Sequence, residues 1–240
     1  MQLSKLESQA DEALKKNNLA IFTAKDLMLL LGIKRMKAYN LAKALKRKGA
    51  VNAVKGGMFA LAGTNELSFG QHLNWPSYLS FWSALSYYGY SDQMPRTLFY
   101  ASVKYMKKRA NCQFVALSNK RFFGYTSIGS ITIAEKEKAF VDSLLFPKYA
   151  GGMNEISRCL KNALKDIDIK KMASYAEKVG NKAVLRRLGF LLEITGIDSS
   201  LLSGLKKGIG SGYERIDPSL PKRNHFNKEW LLDVNDDIAH

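Results

Sequence analysis

The sequence lacks the features that mark membrane-spanning, disulfide-bonded and zinc-binding proteins. No run of 18 or more apolar residues occurs among its 240 residues, which excludes a transmembrane helix. Its two cysteines, Cys112 and Cys159, have no motif spacing, so free thiols in a reducing compartment are expected. The three histidines lie far apart, without cysteine or carboxylate neighbours at ligand spacing, and predict no metal site. The N-terminal stretch is polar and has no signal-peptide core, so we expect a cytoplasmic protein.

Acidic residues are scarce relative to basic ones, and half of the imbalance lies near the N-terminus. The chain has 37 Lys and Arg residues against 21 Asp and Glu, a net charge of +16. Residues 1–62 contain 12 of the basic and 4 of the acidic residues, so about a quarter of the chain holds +8 of this excess. Basic surfaces bind nucleic acids by releasing counterions condensed on the phosphates. The charge therefore favours a nucleic-acid partner and leaves the fold open.

The region from Thr23 to Lys48 has the pattern of two short helices joined by a tight turn. Gly32 lies at the turn, where a residue without a Cβ atom adopts a positive φ at little cost. Thr23, also a candidate DNA contact, suits the N-cap of the first helix, with Asp26 at the third helical position. The residues expected to pack the two helices together are Leu27, Leu31, Ile33, Ala38 and Leu41. This pattern predicts a helix-turn-helix whose second helix is strongly basic.

The outward side of the second helix is predicted to contact double-stranded DNA. Side chains suited to base edges are Lys34 and Arg35, which match guanine O6 and N7, and Asn40, which matches adenine N6 and N7. The predicted phosphate contacts, which position a protein without reading sequence, are Lys37, Lys43, Lys46, Arg47, Lys48 and Lys55. Tyr39 either donates to a phosphate or covers the turn, and Met36 is expected to pack inside the protein.

Two further elements complete a predicted winged helix in residues 1–62. Apolar residues line one side of a helix expected at about residues 4–17. Residues 50–61 contain two β-prone runs separated by a Lys-Gly-Gly sequence, which predicts a hairpin. The tip of this hairpin, at Lys55, is then a wing that reaches the DNA backbone or minor groove beside the basic helix.

The rest of the sequence predicts a linker at residues 63–76 and a larger mixed α+β domain at residues 77–240. An aromatic-rich helix is expected between Trp75 and Tyr90, with most of its rings in the core. The β-prone runs are residues 97–103, 113–117, 122–127, 130–134, 213–216 and 229–234. The helical patterns cover residues 135–145, 153–164, 170–179 and 182–195. The expected fold class is α+β: an N-terminal winged helix-turn-helix followed by a larger domain with a small sheet and several helices.

No group of residues forms a convincing catalytic triad or phosphate loop, so we expect neither an enzyme nor a cofactor. One alternative is a metal-dependent enzyme acting on nucleic acid, with Glu135, Glu137 and Asp142 as metal ligands. Alternating Glu and Lys residues at the start of a helix are also ordinary surface chemistry. A second alternative is a winged-helix regulator whose aromatic residues between Tyr78 and Tyr90 sense a small molecule.

Several segments resemble one protein family when they are taken together. They are IFTAKDLMLLLGIKRMKAYNLAKALKRKGAV with GGMFAL in the first 61 residues, YLSFWSALSYYG from Tyr78, IAEKEKAFVD from Ile133, AVLRRLGFLLE from Ala183, and the tail with Asp217-Pro218 and Trp230-Leu231-Leu232. In order and spacing, over roughly residues 20–235, the chain resembles the AbiEi-like antitoxins of abortive-infection, type IV toxin–antitoxin systems. Members of this family are also described as transcriptional regulators.

The resemblance implies a protein of two parts. The N-terminal winged helix would bind operator repeats ahead of its own toxin–antitoxin operon and repress it, with Lys34, Arg35, Lys37 and Asn40 in the DNA-reading role. The larger C-terminal domain would oppose a nucleotidyltransferase-like toxin encoded alongside, with or without direct contact. The implied partners are therefore operator DNA and this toxin, and the resemblance implies no membrane, cofactor or catalytic site.

Overall fold

The computed structural model of the protein describes residues 2–54, 56–197 and 199–238, which form a mixed α+β structure as the sequence predicts. The helices are α1 (Lys5–Lys16), α2 (Ala24–Leu31), α3 (Arg35–Arg47), α4 (Phe69–Leu73), α5 (Phe81–Tyr87), α6 (Lys136–Leu145), α7 (Gly152–Ala163), α8 (Ile169–Val179), α9 (Lys182–Ile194) and α10 (Ser199–Lys206). The strands are β1 (Ile21–Thr23), β2 (Val51–Val54), β3 (Met58–Leu61), β4 (Ser77–Leu79), β5 (Leu98–Ser102), β6 (Cys112–Ala116), β7 (Tyr125–Ile128), β8 (Ile131–Ala134), β9 (Glu214–Arg215), β10 (Phe226–Asn227) and β11 (Leu232–Asp233). Among the described residues, none of the helices combines the length and apolar character needed to span a bilayer.

The first three helices pack on a three-stranded antiparallel sheet. Strand β3 lies between β1 and β2, and the ring of Phe22 in β1 stacks on that of Phe59 in β3 at a centroid distance of 5.8 Å. The helices supply the rest of this core with Ala10 and Leu14 from α1, Leu27 from α2, and Ala38, Leu41, Ala42 and Leu45 from α3. Removal of this apolar surface from water holds α3 against the other two helices.

The ends of these helices follow the local chemistry that the sequence predicts. Thr23 caps α2: its hydroxyl accepts from the Asp26 amide, and its own amide donates to the Asp26 carboxylate at 2.6 Å. Ser4 and Glu7 form the same reciprocal pair at the start of α1. Gly32 ends α2 in the left-handed conformation, with φ of 63°, which confirms its predicted position in the turn.

A five-stranded sheet of order β6-β5-β4-β8-β7 lies at the centre of the rest of the protein. Strand β4 is in the middle, antiparallel to β5 and parallel to β8, whereas β5 and β6 run parallel to each other. Helices α5 and α6 pack on this sheet and on each other, and α8 and α9 pack on α6. One continuous core joins these layers, with fully buried rings at Tyr78, Phe81 and Tyr100.

Residues 63–76 are more ordered than the predicted linker. They contain α4, whose Phe69 is buried in the large core, and the Leu67 carbonyl accepts a hydrogen bond from the Tyr100 hydroxyl at 3.0 Å. Met58 of β3 packs against the same core. The N-terminal elements therefore pack directly on the larger part of the protein. The face of their sheet that points away from α3 is also apolar, and its Ile21, Met58 and Ala60 belong to the large core. A domain boundary near residue 62 stays a prediction.

The remaining differences from the sequence prediction are local. The aromatic helix expected between Trp75 and Tyr90 is divided into strand β4 and helix α5, because the backbone is extended at Ser80. Helix α10 and strand β10 were not predicted. Strands β5 to β9 and β11 and helices α6 to α9 fall within a few residues of their predicted positions.

Two buried arginines of α9 fasten the C-terminal segment to the helices. Arg187 donates to the carbonyl oxygens of Leu144 at 2.7 Å and Ile216 at 2.8 Å, and burial lowers its pKa to about 10. Arg186 donates to the carbonyl oxygen of Ile209 at 2.7 Å. These side chains donate to backbone carbonyl groups at the end of α6 and in the C-terminal segment that would otherwise be left unsatisfied in the interior.

Candidate nucleic-acid interface

Four apolar residues seat helix α3, and their positions determine which of its side chains point outward. Ala38, Leu41, Ala42 and Leu45 are buried on one side of the helix. Successive residues are rotated by about 100° in an α-helix, so the opposite side is determined as well. It consists of five exposed residues, which we name the outer face of α3: Met36, Tyr39, Asn40, Lys43 and Arg47.

Four more cations border the outer face of α3. Lys34 is the N-cap residue of the helix and Arg35 its first residue, while Lys37 and Lys46 lie along its two sides. All four are exposed. No acidic residue occupies the first turn, so the positive end of the helix dipole is not offset there. The structure thus brings the predicted DNA-contacting residues of α3 onto one continuous exposed surface.

The charges on this surface are not neutralised within the described part of the protein. Two of the three acidic residues of α1 are engaged elsewhere, because Asp11 pairs with Lys15 at 2.6 Å and Glu7 with Lys48 at 2.5 Å. The six cations that form no ion pair with a described residue are Lys34, Arg35, Lys37, Lys43, Lys46 and Arg47. A surface of this kind attracts polyanions, and the attraction weakens as salt screens it.

Two apolar side chains lie within the outer face. The ammonium group of Lys43 lies 4.6 Å from the centroid of the Tyr39 ring, a cation–π contact between two exposed side chains. Met36 is 70% exposed, so the prediction that it packs inside the protein is wrong. The reason is angular: Met36 precedes the buried Ala38 by two residues, which rotates it by about 200° from the buried side.

Lys48 differs from the other predicted phosphate contacts because it is paired inside the N-terminal helices. Its Nζ lies 2.5 Å from Oε2 of Glu7 and donates to the carbonyl oxygen of Gln2 at 3.0 Å. These contacts tie α1 to the end of α3. The structure gives Lys48 an ion-pairing role within the N-terminal helices, and its phosphate contact stays a prediction.

The Glu7–Lys48 pair makes stability depend on pH in a defined range. Hydrogen bonds from the Lys48 ammonium and the Ser4 amide lower the pKa of Glu7 from 4.5 to about 2. A carboxylate whose folded pKa is depressed contributes stability that is fully present above its unfolded pKa and is lost as the pH falls through the folded value. We expect Glu7→Gln to lower the free energy of unfolding at pH 7. Its difference from the wild type should shrink as the pH falls from about 4.5 through about 2.

Urea unfolding at a series of pH values measures this difference. Glu12→Gln is the matched control, because Glu12 is exposed on the same helix, and its stability profile should follow that of the wild type. A difference between Glu7→Gln and the wild type that stayed constant over the whole acid range would mean that the charge of Glu7 does not stabilise the fold.

The other predicted DNA contacts lie outside α3. The Thr23 hydroxyl donates to the Asp26 carboxylate at 2.7 Å while it caps α2, so the structure gives it a capping role and its DNA contact stays a prediction. Lys55 lies outside the described residues. The hairpin on either side of it is formed by β2 and β3, and Gly56 and Gly57 have φ of 83° and 74°, as the Lys-Gly-Gly sequence predicts.

Comparison with known proteins relates the chain to a solved structure. No protein-family model matches the sequence, and no curated protein matches it. The chain is similar to the crystal structure of the RV2827C protein from Mycobacterium tuberculosis, with a TM-score of 0.65 and 13% sequence identity. This similarity covers 96% of the chain and 92% of the RV2827C chain. The two proteins therefore share an overall fold across nearly their full lengths.

The three carboxylates considered as metal ligands are each engaged by groups of the protein. Glu135 accepts a hydrogen bond from the Tyr175 hydroxyl at 2.5 Å, which lowers its pKa. Glu137 pairs with Lys171 at 3.2 Å, and Asp142 has no exposed side-chain surface. In residues 2–54, 56–197 and 199–238, no three side chains of the types that bind metals form a cluster. This arrangement gives the metal-dependent alternative no support.

The aromatic residues between Tyr78 and Tyr90 pack into the core. Phe81 lies edge-on to Tyr149 at 5.7 Å, and Tyr90 stacks on Phe140 at 5.8 Å. This confirms that most of these rings belong to the interior, and it gives the ligand-sensing alternative no support. Both cysteines are free and buried, and burial raises the pKa of each thiol to about 12.

Proposed function

We propose that this protein is a DNA-binding antitoxin that represses transcription of its own operon in a type IV, abortive-infection toxin–antitoxin system. Double-stranded operator DNA is then its first partner. The second is a nucleotidyltransferase-like toxin, which the C-terminal part opposes with or without direct contact. The protein has no catalytic site and no cofactor in this proposal, and it acts in the cytoplasm.

The observation that supports DNA binding most strongly is the group of positively charged side chains on and beside α3 that form no ion pair with a described residue. Six cations without a described carboxylate partner lie on or beside the outer face of α3, which also presents Asn40. Three helices followed by an antiparallel hairpin are the elements of a winged helix, and a recognition helix of this kind inserts into the major groove. The exposed Met36 suits apolar contact with a thymine methyl group there.

The resemblance of the sequence to AbiEi-like antitoxins supports the rest of the proposal. The segments that carry it include AVLRRLGFLLE, whose Arg186 and Arg187 hold the C-terminal tail, and IAEKEKAFVD, which begins at the end of β8 and continues in α6. These segments build the interior of the larger part of the protein. Their resemblance therefore concerns the scaffold of the antitoxin part, and the partner it implies is the toxin encoded alongside.

Binding to DNA from immediately upstream of its own gene tests the proposal. Fluorescence anisotropy with a labelled duplex, scrambled competitor DNA and several salt concentrations separates specific from purely ionic binding. We expect saturable binding that survives competitor near physiological salt. Lys43→Ala/Arg47→Ala should abolish this binding, whereas Lys170→Ala/Lys222→Ala, which removes two exposed lysines elsewhere, should retain it.

Weak binding that ignores sequence and vanishes with salt would overturn the autorepressor proposal, since it would leave only a basic surface. The antitoxin part of the proposal is measured separately, by growth of cells that express the neighbouring toxin gene. Rescue by the wild type and by Lys43→Ala/Arg47→Ala alike is expected, because opposing the toxin is assigned to the C-terminal part. Failure of the wild type to restore growth would overturn the antitoxin assignment.

A further inference from the structure

A second basic region lies far from α3 in the sequence. Between Asp92 and Glu135 the chain contains seven Lys and Arg residues and no Asp or Glu. Four of the seven fall within six positions of the connection between β5 and β6: Lys104, Lys107, Lys108 and Arg109. All four are exposed. The larger part of the protein therefore has its own local excess of positive charge, at residues that do not belong to α3.

Two aromatic side chains, of residue types that are usually at least partly buried, are exposed within or next to this connection. Trp75 is 67% exposed and Tyr105 is 78% exposed. Strands β4 and β5 pair with Ser77 opposite Ser102, so the antiparallel register brings Trp75 alongside the start of the connection. The side chain of Asn74 links the two segments directly, because its Nδ2 donates to the carbonyl oxygen of Lys104 at 3.1 Å.

The connection is held in place along its length. Because β5 and β6 are parallel neighbours, it must return from the end of one strand to the beginning of the other, a distance of about 17 Å at 3.3 Å per residue. Met106 packs against the core, and the Lys108 ammonium donates to the Thr97 hydroxyl at 2.9 Å. The Arg109 amide donates to the Cys112 carbonyl oxygen at 3.1 Å. The exposed side chains are therefore displayed on a fixed backbone, which lowers the entropy lost on binding.

We propose that Trp75 and the connection between β5 and β6 form a binding surface for single-stranded nucleic acid. The residues of this surface are Trp75, Lys104, Tyr105, Lys107, Lys108 and Arg109. Exposed rings offer a stacking platform for unpaired bases, and cations spread over the same surface neutralise the phosphates between them. A duplex hides the faces of its bases, so the two rings favour single strands over double-stranded DNA. This surface does not depend on the operator-binding proposal, because it shares no residue with α3.

Titration of labelled single strands of about 12 nucleotides, one of RNA and one of DNA with the same sequence, tests the proposal. Trp75→Ala and Tyr105→Ala should each weaken binding about 5- to 150-fold, the range measured for loss of one stacked base. Trp75→Phe and Tyr105→Phe should retain most of the affinity, because a ring remains. Lys104→Ala/Lys107→Ala should reduce the slope of log K against log salt by about 1.4, since each phosphate contact with a single strand contributes about 0.7.

Two controls separate this surface from the rest of the protein. Lys170→Ala/Lys222→Ala removes the same charge from exposed positions elsewhere and should bind as the wild type does. Lys43→Ala/Arg47→Ala, which disables the outer face of α3, should also leave binding of single strands intact. Binding of both strands supports the proposal, and a preference for RNA supports it with an added contact to the 2′-hydroxyl group.

Three outcomes would overturn the proposal. One is affinity unchanged by loss of either ring, which would remove the stacking platform. Another is loss of single-strand binding in Lys43→Ala/Arg47→Ala alone, which would assign that binding to α3. The third is equal binding of poly-glutamate with the same dependence on Trp75 and Tyr105, which would indicate an acidic protein as the occupant. Thermal unfolding of each variant checks that these exposed substitutions leave the fold unchanged.

Discussion

Replacing Lys138 with methionine should destabilise the protein by about 3–5 kcal/mol, the cost of leaving a buried charge without its partner. Lys138 and Asp142 form an ion pair one turn apart on α6, and neither side chain has any exposed surface. Asp142 also accepts hydrogen bonds from the hydroxyls of Tyr78 at 3.0 Å and Ser80 at 2.8 Å. Without the lysine, the carboxylate keeps two neutral donors and loses its only cationic one among the described residues.

Thermal unfolding and urea unfolding measure the effect. For a protein of this size each kcal/mol lowers the melting temperature by about 2–4 °C, so the expected decrease for Lys138→Met is about 6–20 °C. The double variant Lys138→Met/Asp142→Leu is the decisive comparison, because apolar replacement of a whole buried pair is often neutral or stabilising. We expect it to be more stable than Lys138→Met. If Lys138→Met alone cost less than about 1 kcal/mol, we would conclude that the ion pair is in contact with water and not buried.

The same cluster explains how α6 is positioned on the sheet. Tyr78 and Ser80 lie at β4 and directly after it, so their bonds to Asp142 join the middle strand to the helix. Burial and the neighbouring Asp142 carboxylate raise the pKa of Tyr78 well above its ordinary value, so the phenol keeps its proton and remains a donor. Loss of Lys138 should therefore weaken the contact between α6 and the sheet.

The sequence predicted the elements whose signal is local. Helices α3, α6, α7, α8 and α9 follow from a 3.6-residue apolar period, and the caps at Thr23 and Gly32 follow from residue chemistry. Periodicity also identified the exposed side of α3 except for Met36, because the buried residues of one helix determine its opposite face. In each case the information lies within one turn or two of the residue concerned.

The burial of charged side chains could not be predicted from such local signals. The sequence EKEKAFVD resembles the exposed start of a helix, yet Lys138 and Asp142 are fully buried because α6 is covered on several sides. Arg186 and Arg187 look like surface charges and instead bind carbonyl groups of the tail more than 20 residues away. These outcomes depend on contacts between distant segments, which no local pattern records.

The candidate interface shows the same limit on a smaller scale. Lys48 has the charge and position of a phosphate contact, but its partner Glu7 comes from α1, 41 residues earlier in the chain. Trp75 belongs to a stretch whose rings are mostly expected in the core, yet it is exposed, and the register of β4 and β5 places it alongside the connection that contains Tyr105. Pairing between distant segments therefore determines which partner Lys48 has and which residues lie next to Trp75, and neither can be deduced from the local sequence.

Arg35→Ala should weaken binding to the preferred operator by about 1–3 kcal/mol and should reduce the preference for that operator over mismatched sequences. Lys46→Ala should instead weaken binding to all sequences alike and lower the magnitude of the salt slope by about one unit. The reason is geometric. Recognition helices reach base edges with their N-terminal residues, and Arg35 is the first residue of α3, whereas Lys46 lies in its last turn.

Anisotropy titrations of both variants on the operator and on a set of single-base mismatches, each at four or more salt concentrations, separate the two effects. Lys170→Ala is the control, because it removes an exposed charge from α8 and should change neither selectivity nor slope. A loss of selectivity with an unchanged slope identifies a base contact, and the reverse identifies a phosphate contact. If Arg35→Ala and Lys46→Ala lost affinity equally on every sequence, both ends of α3 would contact only the DNA backbone, and any sequence preference would have to come from another element.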